Sequence, residues 1–259
     1  MLTRILTSIV GIVIFLGVIF APPVALYVAL LVVGAGMLWE TYRVIDAKPQ
    51  IKVVGFLAEI LMFLGFFADK IGLAFYGAIF LFMISLVFLW GKCDSKEVLT
   101  SGMATLFITS AVLSLVFIRV KYDVYTLLLP FIIAWLSDTG AYFTGYFLGK
   151  HKLCPKMSPK KTIEGAIGGI VFTIIAVCVF GWLYGGNTDA MYLVKCGVIG
   201  LFGSVISQIG DLAASCIKRD FDKKDYGSLL PGHGGLMDRF DSVLFSAPYA
   251  LLALIYFGI

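Results

Sequence analysis

The chain predicts an all-α, polytopic integral membrane protein with about nine transmembrane helices and a cytoplasmic N-terminus. Three observations carry that prediction. Of its 259 residues 60% are hydrophobic and only 14% charged, against roughly a quarter charged in soluble proteins, and the mean hydropathy is +0.99. So much apolar sequence has no interior large enough to hide in, so its solvent is lipid. The apolar runs recur at spanning length, and lipid offers backbone groups no partners, which makes helices the default. Basic residues, finally, gather in alternate loops.

In order, the runs cover 4–20, 24–39, 53–68, 71–90, 98–118, 124–148, 165–184, 191–217 and 235–258. The first follows Arg4, lacks a small-x-small cleavage site and continues into Pro22-Pro23, so it reads as a retained helix and not a signal peptide. Only Asp69-Lys70 divides the third run from the fourth; merging them would give eight spans. With nine, one side carries Arg4, Arg43, Lys48, Lys52, Lys92, Lys96, Lys150, Lys152, Lys156, Lys160, Lys161, Lys218, Arg219, Lys223 and Lys224. The other carries Lys70, Arg119 and Lys121. Fifteen against three puts the N-terminus and the basic loops in the cytoplasm.

Composition also excludes classes. The five cysteines are scattered, odd in number and without CxxC spacing, so neither a disulfide framework nor a zinc site is indicated. A net charge of +4 and no long polar stretch argue against nucleic acid as a partner and against a large soluble domain. The first five runs are nearly free of ionisable residues, which assigns residues 1–120 to packing and lipid contact. The unusual polar residues follow Pro130. Residues 121–259 are therefore the functional region, with cytoplasmic loops at 149–164 and 218–234.

A charge inside a span costs about 2.5–3.5 kcal/mol at the bilayer centre on insertion scales, so each one there asks for a reason. The sixth run holds Asp138. The eighth places Ser204, Ser207 or Gln208, Asp211, Ser215 and Lys218 on one helical face. The ninth opens on Asp238 and Asp241, spaced i, i+3. Any one carboxylate, Asp138 above all, is accounted for as a buried group hydrogen-bonded to a neighbour. Asp211, Asp238 and Asp241 together are not, because converging anions in low dielectric repel unless a cation neutralises them. Hard oxygen donors without sulfur or imidazole favour magnesium, which commonly bridges to phosphate.

The basic loops agree with a phosphate-bearing ligand. One contains SPKKTIEG (158–165), the other KRDFDKKD (218–225). Topology and attraction to anionic lipid explain a basic excess, but not its coincidence with carboxylates on the same face. Gly227, Gly232, Gly234 and Gly235 offer backbone N–H groups for phosphate, and Gly234-Gly235 open the ninth helix, whose start favours anions. His233, a lone loop histidine, reads as a positioning or nucleotide-contact residue.

The run SCIKRDFDKKDYGSLLPGHGGLMDRFD, Ser215 to Asp241, resembles the signature of the phosphatidate cytidylyltransferases, or CDP-diacylglycerol synthases, without departure. WLSDTGAYFTGYFLGK (135–150) and SPKKTIEG resemble the family's looser upstream motifs. The resemblance implies a homodimeric enzyme of a prokaryotic-type inner membrane that condenses CTP with phosphatidic acid, its active site facing the cytoplasm. It further implies dependence on magnesium, a second cation such as potassium, and a cation centre at Asp211, Asp238 and Asp241. In that reaction Lys218, Arg219, Lys224 and Arg239 would clamp phosphate oxygens, and Asp225 would orient Lys224 or Arg219. Lys160 and Lys161 would hold lipid phosphate or triphosphate, with Asp138, Ser207, Ser215, Gly234 and Gly235 completing the substrate contacts. A CDP-archaeol synthase or polyprenol kinase would use another lipid acceptor. A cation or phosphate transporter would also carry intramembrane acids, but the chain lacks the paired halves such proteins show.

Overall fold

The computed structural model describes residues 2–185, 189–229 and 234–258. Among them are nine helices: α1 Leu2–Ile19, α2 Pro23–Val44, α3 Pro49–Phe67, α4 Ile71–Phe88, α5 Ser95–Lys121, α6 Leu129–Leu148, α7 Ile163–Gly185, α8 Ala190–Asp220 and α9 Met237–Phe257. Eight of these, α2 to α9, are long and apolar enough to cross a membrane; in α1 the described apolar stretch is Val10–Ile19. Prolines start several of them where a missing N–H costs nothing: Pro23 and Pro49 open α2 and α3, and Pro130 sits in the first turn of α6.

The chain divides into two compact units, residues 1–116 with 221–239 and residues 117–220 with 240–259. The loop after α8 thus groups with the N-terminal helices. In the first unit α3 and α4 are separate helices. Lys70 N–H closes onto Gly65 O at 2.7 Å, and Asp69 takes the left-handed conformation (φ 55°) that such a reversal requires. The merged alternative therefore falls. A Cβ on Gly65 would lie 2.1 Å from that of Ala74, so these two helices meet where one residue has no side chain.

This unit is less apolar inside than the sequence suggests. Tyr42 is fully buried and its hydroxyl shares a 2.5 Å hydrogen bond with Thr105. Glu59 on α3 is 1% exposed and Glu40 on α2 is 3% exposed. α2 runs five residues beyond the expected end at 39 because Glu40, Thr41 and Tyr42 are all buried in the packing.

In the second unit α7 packs between α6 and α8 through glycines. A Cβ on Gly165 would stand 2.8 Å from Ala141 O, one on Gly169 2.8 Å from Ser137 O, and one on Gly200 2.8 Å from Ile174 Cα. Small residues one turn apart bring backbones together where lipid supplies no hydrophobic drive between helices. Polar groups then fasten the contact. Ser137 and Ser204 hydroxyls bond at 2.8 Å, and the Gln208 amide donates to Ser204 Oγ and to Ala166 O at 3.1 Å each. At the other end Lys195 Nζ donates to Phe257 O at 3.1 Å, placing a cation on the last turn of α9.

The α5–α6 connection has its own lock. Asp123 Oδ1 accepts N–H groups of Tyr125 at 2.8 Å and Thr126 at 2.7 Å, and Oδ2 accepts the Tyr184 hydroxyl. Partial burial alone would push this carboxyl up, but those hydrogen bonds outweigh it and hold the group below the ordinary aspartate range. Its stabilisation is present above the unfolded-state value of about 3.9 and is lost as pH falls through the lower folded value. Asp123→Asn is accordingly expected to melt earlier than the parent at neutral pH, with the difference closing below about pH 4. Thermal midpoints measured against pH check this; a gap independent of pH would refute it.

Candidate active site

The loop expected at 149–164 is a short antiparallel hairpin, β1 Lys152–Cys154 with β2 Ser158–Thr162. Its base is pinned where α7 begins. Thr162 Oγ1 accepts the Gly165 N–H at 3.1 Å as a helix cap, and Glu164 accepts from His151 Nδ1 at 2.6 Å and from the Lys150 N–H at 3.1 Å. A fixed base gives the lysines on β2 a defined direction.

That direction is across a cavity of about 660 Å³. Asp138, Tyr142, Gly145 and Tyr146 of α6 line it, with Gln208 and Asp211 of α8, and with Lys152, Ser158, Lys160 and Lys161 of the hairpin. Lys161 Nζ meets Asp211 Oδ2 at 2.5 Å, each side chain about a quarter exposed. A charge-assisted contact that short, partly out of water, is stronger than an exposed surface pair.

Asp241, one-twelfth exposed, lies in electrostatic range of Asp211, Asp138 and Lys218, and Lys218 is itself buried. Ser242 links the same group, donating its hydroxyl to Asp138 Oδ2 at 3.3 Å. Ser207 Oγ, one turn before Asp211, is buried without a hydrogen-bond partner among the described residues. Asp138 thus joins Asp211 and Asp241 in one electrostatic group, a connection its sequence position did not show. Arg219 is exposed and Ser215 half-buried on the last turns of α8.

The first unit holds the remaining predicted residues: Lys224, Asp225, Gly234, Gly235, Asp238 and Arg239. His233 lies outside the described residues. Lys224 and Asp225 are exposed. Asp238 Oδ2 accepts the N–H groups of Tyr226 at 2.8 Å and Gly235 at 2.9 Å, so its carboxylate ties these two residues together.

Two glycines make room for a side chain that the sequence did not point to. A Cβ on Gly227 would lie 2.4 Å from Glu40 Oε1, and one on Gly235 2.4 Å from Glu40 Oε2. They admit a carboxylate of the chain's own α2. Glu40 also accepts the Leu236 N–H at 3.0 Å and the Met237 N–H at 2.8 Å, so the anion at the start of α9 is Glu40. Gly234, at φ 81°, is required for its backbone conformation.

Hard oxygen donors and the unpartnered Ser207 hydroxyl suit magnesium. Among the described residues no three His, Cys, Asp or Glu side chains gather closely enough to hold a metal. Magnesium does not demand such a trio, since it usually keeps its waters and takes one or two carboxylates with substrate phosphate.

Fold and site together define a polytopic membrane protein with lysines facing carboxylates across a cavity at one end of its helices. The chain belongs to the Cytidylyltransferase family, whose model matches residues 2–257. It is 35% identical over 267 residues to the phosphatidate cytidylyltransferase of Bacillus subtilis (strain 168), covering 97% of each chain. The phosphatidate cytidylyltransferase of Staphylococcus haemolyticus (strain JCSC1435) is 44% identical over 129 residues, half of this chain and 48% of its own length. That of Staphylococcus aureus (strain COL) is 45% identical over the same shares.

Proposed function

We propose that the chain transfers the cytidylyl group of CTP to phosphatidic acid, giving CDP-diacylglycerol and pyrophosphate. The observation that carries this reading is the Lys161–Asp211 contact across a cavity lined by Lys152 and Lys160, in a chain of this family. A phosphate oxygen of the lipid forms a bond to the α-phosphorus of CTP as the bond to the β-phosphate oxygen breaks. Two anions must approach, so charge neutralisation is the main requirement. The nucleophile is already ionised, so no strong base is needed.

Lys160 and Lys161 bind phosphate oxygens from the hairpin side, and Lys218 offsets the charge of Asp241. Lys224, Arg219 and Arg239 add to the anion-binding surface. Bound magnesium would supply Lewis-acid neutralisation, with one or two carboxylates among Asp211, Asp241 and Asp238 to hold it beside substrate phosphate and a second cation such as potassium completing the centre. The basic loops support a site facing the cytoplasm, where CTP is found. A homodimer and a total of nine crossings belong to the same proposal.

The test uses the purified full chain in detergent with radiolabelled CTP, magnesium and phosphatidic acid. Lipid-soluble CDP-diacylglycerol and an equal amount of pyrophosphate are expected, with no membrane gradient. Archaeol phosphate or polyprenol replacing phosphatidic acid as the better acceptor would overturn the assignment, as would no turnover at all.

A further inference from the structure

The mechanism leaves one buried charge unused. Glu40 sits on α2, in the half of the chain that its apolar sequence assigns to packing, yet it is 3% exposed and its carboxylate reaches a turn 196 residues further on. Burying a carboxylate without compensation costs several kcal/mol. Here the compensation is specific: both oxygens accept a backbone N–H, from Leu236 and Met237, at the first turn of α9.

The turn is shaped around that carboxylate. The three atoms nearest a Cβ on Gly227 are all Glu40 atoms, at 2.4, 2.8 and 3.1 Å. On Gly235 the nearest two are Glu40 Oε2 and Cδ, followed by Gly227 N at 2.7 Å. The two glycines and the carboxylate therefore fit as one assembly, with no room for a methyl group beside Glu40. Asp238 belongs to the same assembly. Its Oδ2 takes the N–H of Gly235, the residue in front of the two that Glu40 holds, and of Tyr226, the residue in front of Gly227.

We propose that Glu40 is a positioning residue for the cytidylyl-transfer site: it fixes Gly227 and the 235–237 backbone and through them the direction of the Asp238 carboxylate. This rests on the functional reading above for what Asp238 does, but not for how Glu40 holds it. Glu40→Gln tests the chemistry of the contact. One carboxamide oxygen replaces one acceptor, while the NH2 group opposes the other backbone N–H, at nearly unchanged volume.

Three measurements on the full chain in detergent decide it. In Glu40→Gln, hydrogen exchange of peptides spanning 234–240 is expected to rise while peptides from α6 and α7 stay protected. The kcat for CTP transfer should fall at least ten-fold with the KM for phosphatidic acid within about two-fold, since a misdirected group is lost from the reaction and not from lipid binding. Gly227→Ala should be similarly impaired, and combining it with Glu40→Asp, which withdraws the clashing carboxylate by one methylene, should restore activity above Gly227→Ala alone.

Unchanged exchange at 234–240 would overturn the inference, as would kcat within two-fold of the parent or no recovery in the double variant. Asp238→Asn separates the two readings. Full activity there would remove Asp238 from the proposed reaction and the inference with it. A dead Asp238→Asn beside a fully active Glu40→Gln would overturn the inference alone.

Discussion

Asp211→Asn is expected to lose at least a thousand-fold in kcat, about 4 kcal/mol of transition-state stabilisation, while the protein remains expressed and inserted. Asparagine keeps the volume and one oxygen but removes the charge that meets Lys161 at 2.5 Å. It also removes a hard anionic donor next to the unpartnered Ser207 hydroxyl. Lys161→Ala gives a different signature. The lysine sits on the hairpin and, in the proposed reaction, binds substrate phosphate, so its loss should raise the KM for an anionic substrate more than it lowers kcat. Steady-state kinetics of the two variants check the assignment. Near-normal turnover in Asp211→Asn would remove the carboxylate from the chemistry, and identical profiles in both would show that only their mutual contact matters.

The second large effect is on folding. Gly169→Val is expected to abolish a monodisperse, folded protein. Its first added carbon already stands 2.8 Å from Ser137 O, 3.1 Å from Gln208 Nε2 and 3.3 Å from Ala141 Cβ. The nearest of these is backbone, which cannot swing aside, so α6 and α7 must separate and the Ser137–Ser204–Gln208 knot must break with them. Even Gly169→Ala should cost about 1–3 kcal/mol by overpacking. Gly17→Val is the control, because a Cβ there meets nothing within 4 Å. Size-exclusion profiles and thermal midpoints of the three variants decide it. A well-behaved Gly169→Val protein would show that the α6–α7 contact tolerates a spacer.

Much of this architecture was legible because hydropathy is a property of single residues summed along a run. The turn at Asp69-Lys70 was readable as a break, and the α8 stripe from Ser204 to Lys218 was readable as a period. The end of α2 was not. Glu40, Thr41 and Tyr42 look like loop residues by polarity, yet they are buried because each finds a partner or a fitted niche. Hydropathy cannot register compensation supplied from elsewhere in the chain. The hairpin at 152–162 escaped for another reason: it has few apolar residues, and its order comes from Glu164 and Thr162 at its base.

The candidate site divides the same way. Lys161, Asp211 and Asp241 were named from charge and spacing, because ionised groups in a greasy chain need an explanation. Reading Gly227 and Gly235 as points of close backbone approach took the right property; the group lying against both in the structure is Glu40. No signal in the sequence ties Glu40 to a turn so far along the chain. Glu59, buried on α3 with Oε1 unpartnered, was missed as well; that oxygen lies against Gly34, where a Cβ would stand 2.5 Å from it.

In the proposed reaction the contact between Lys161 and Asp211 would also set how ligands cooperate. Each is the other's counterion, so an anion that draws Lys161 away leaves Asp211 uncompensated, and a cation on Asp211 releases Lys161. Either ligand alone must first break the pair; both together exchange partners without leaving a bare charge. By thermodynamic reciprocity each then tightens the other by the same factor. The cleft would then behave as an ion exchanger that favours a neutral salt over either of its ions.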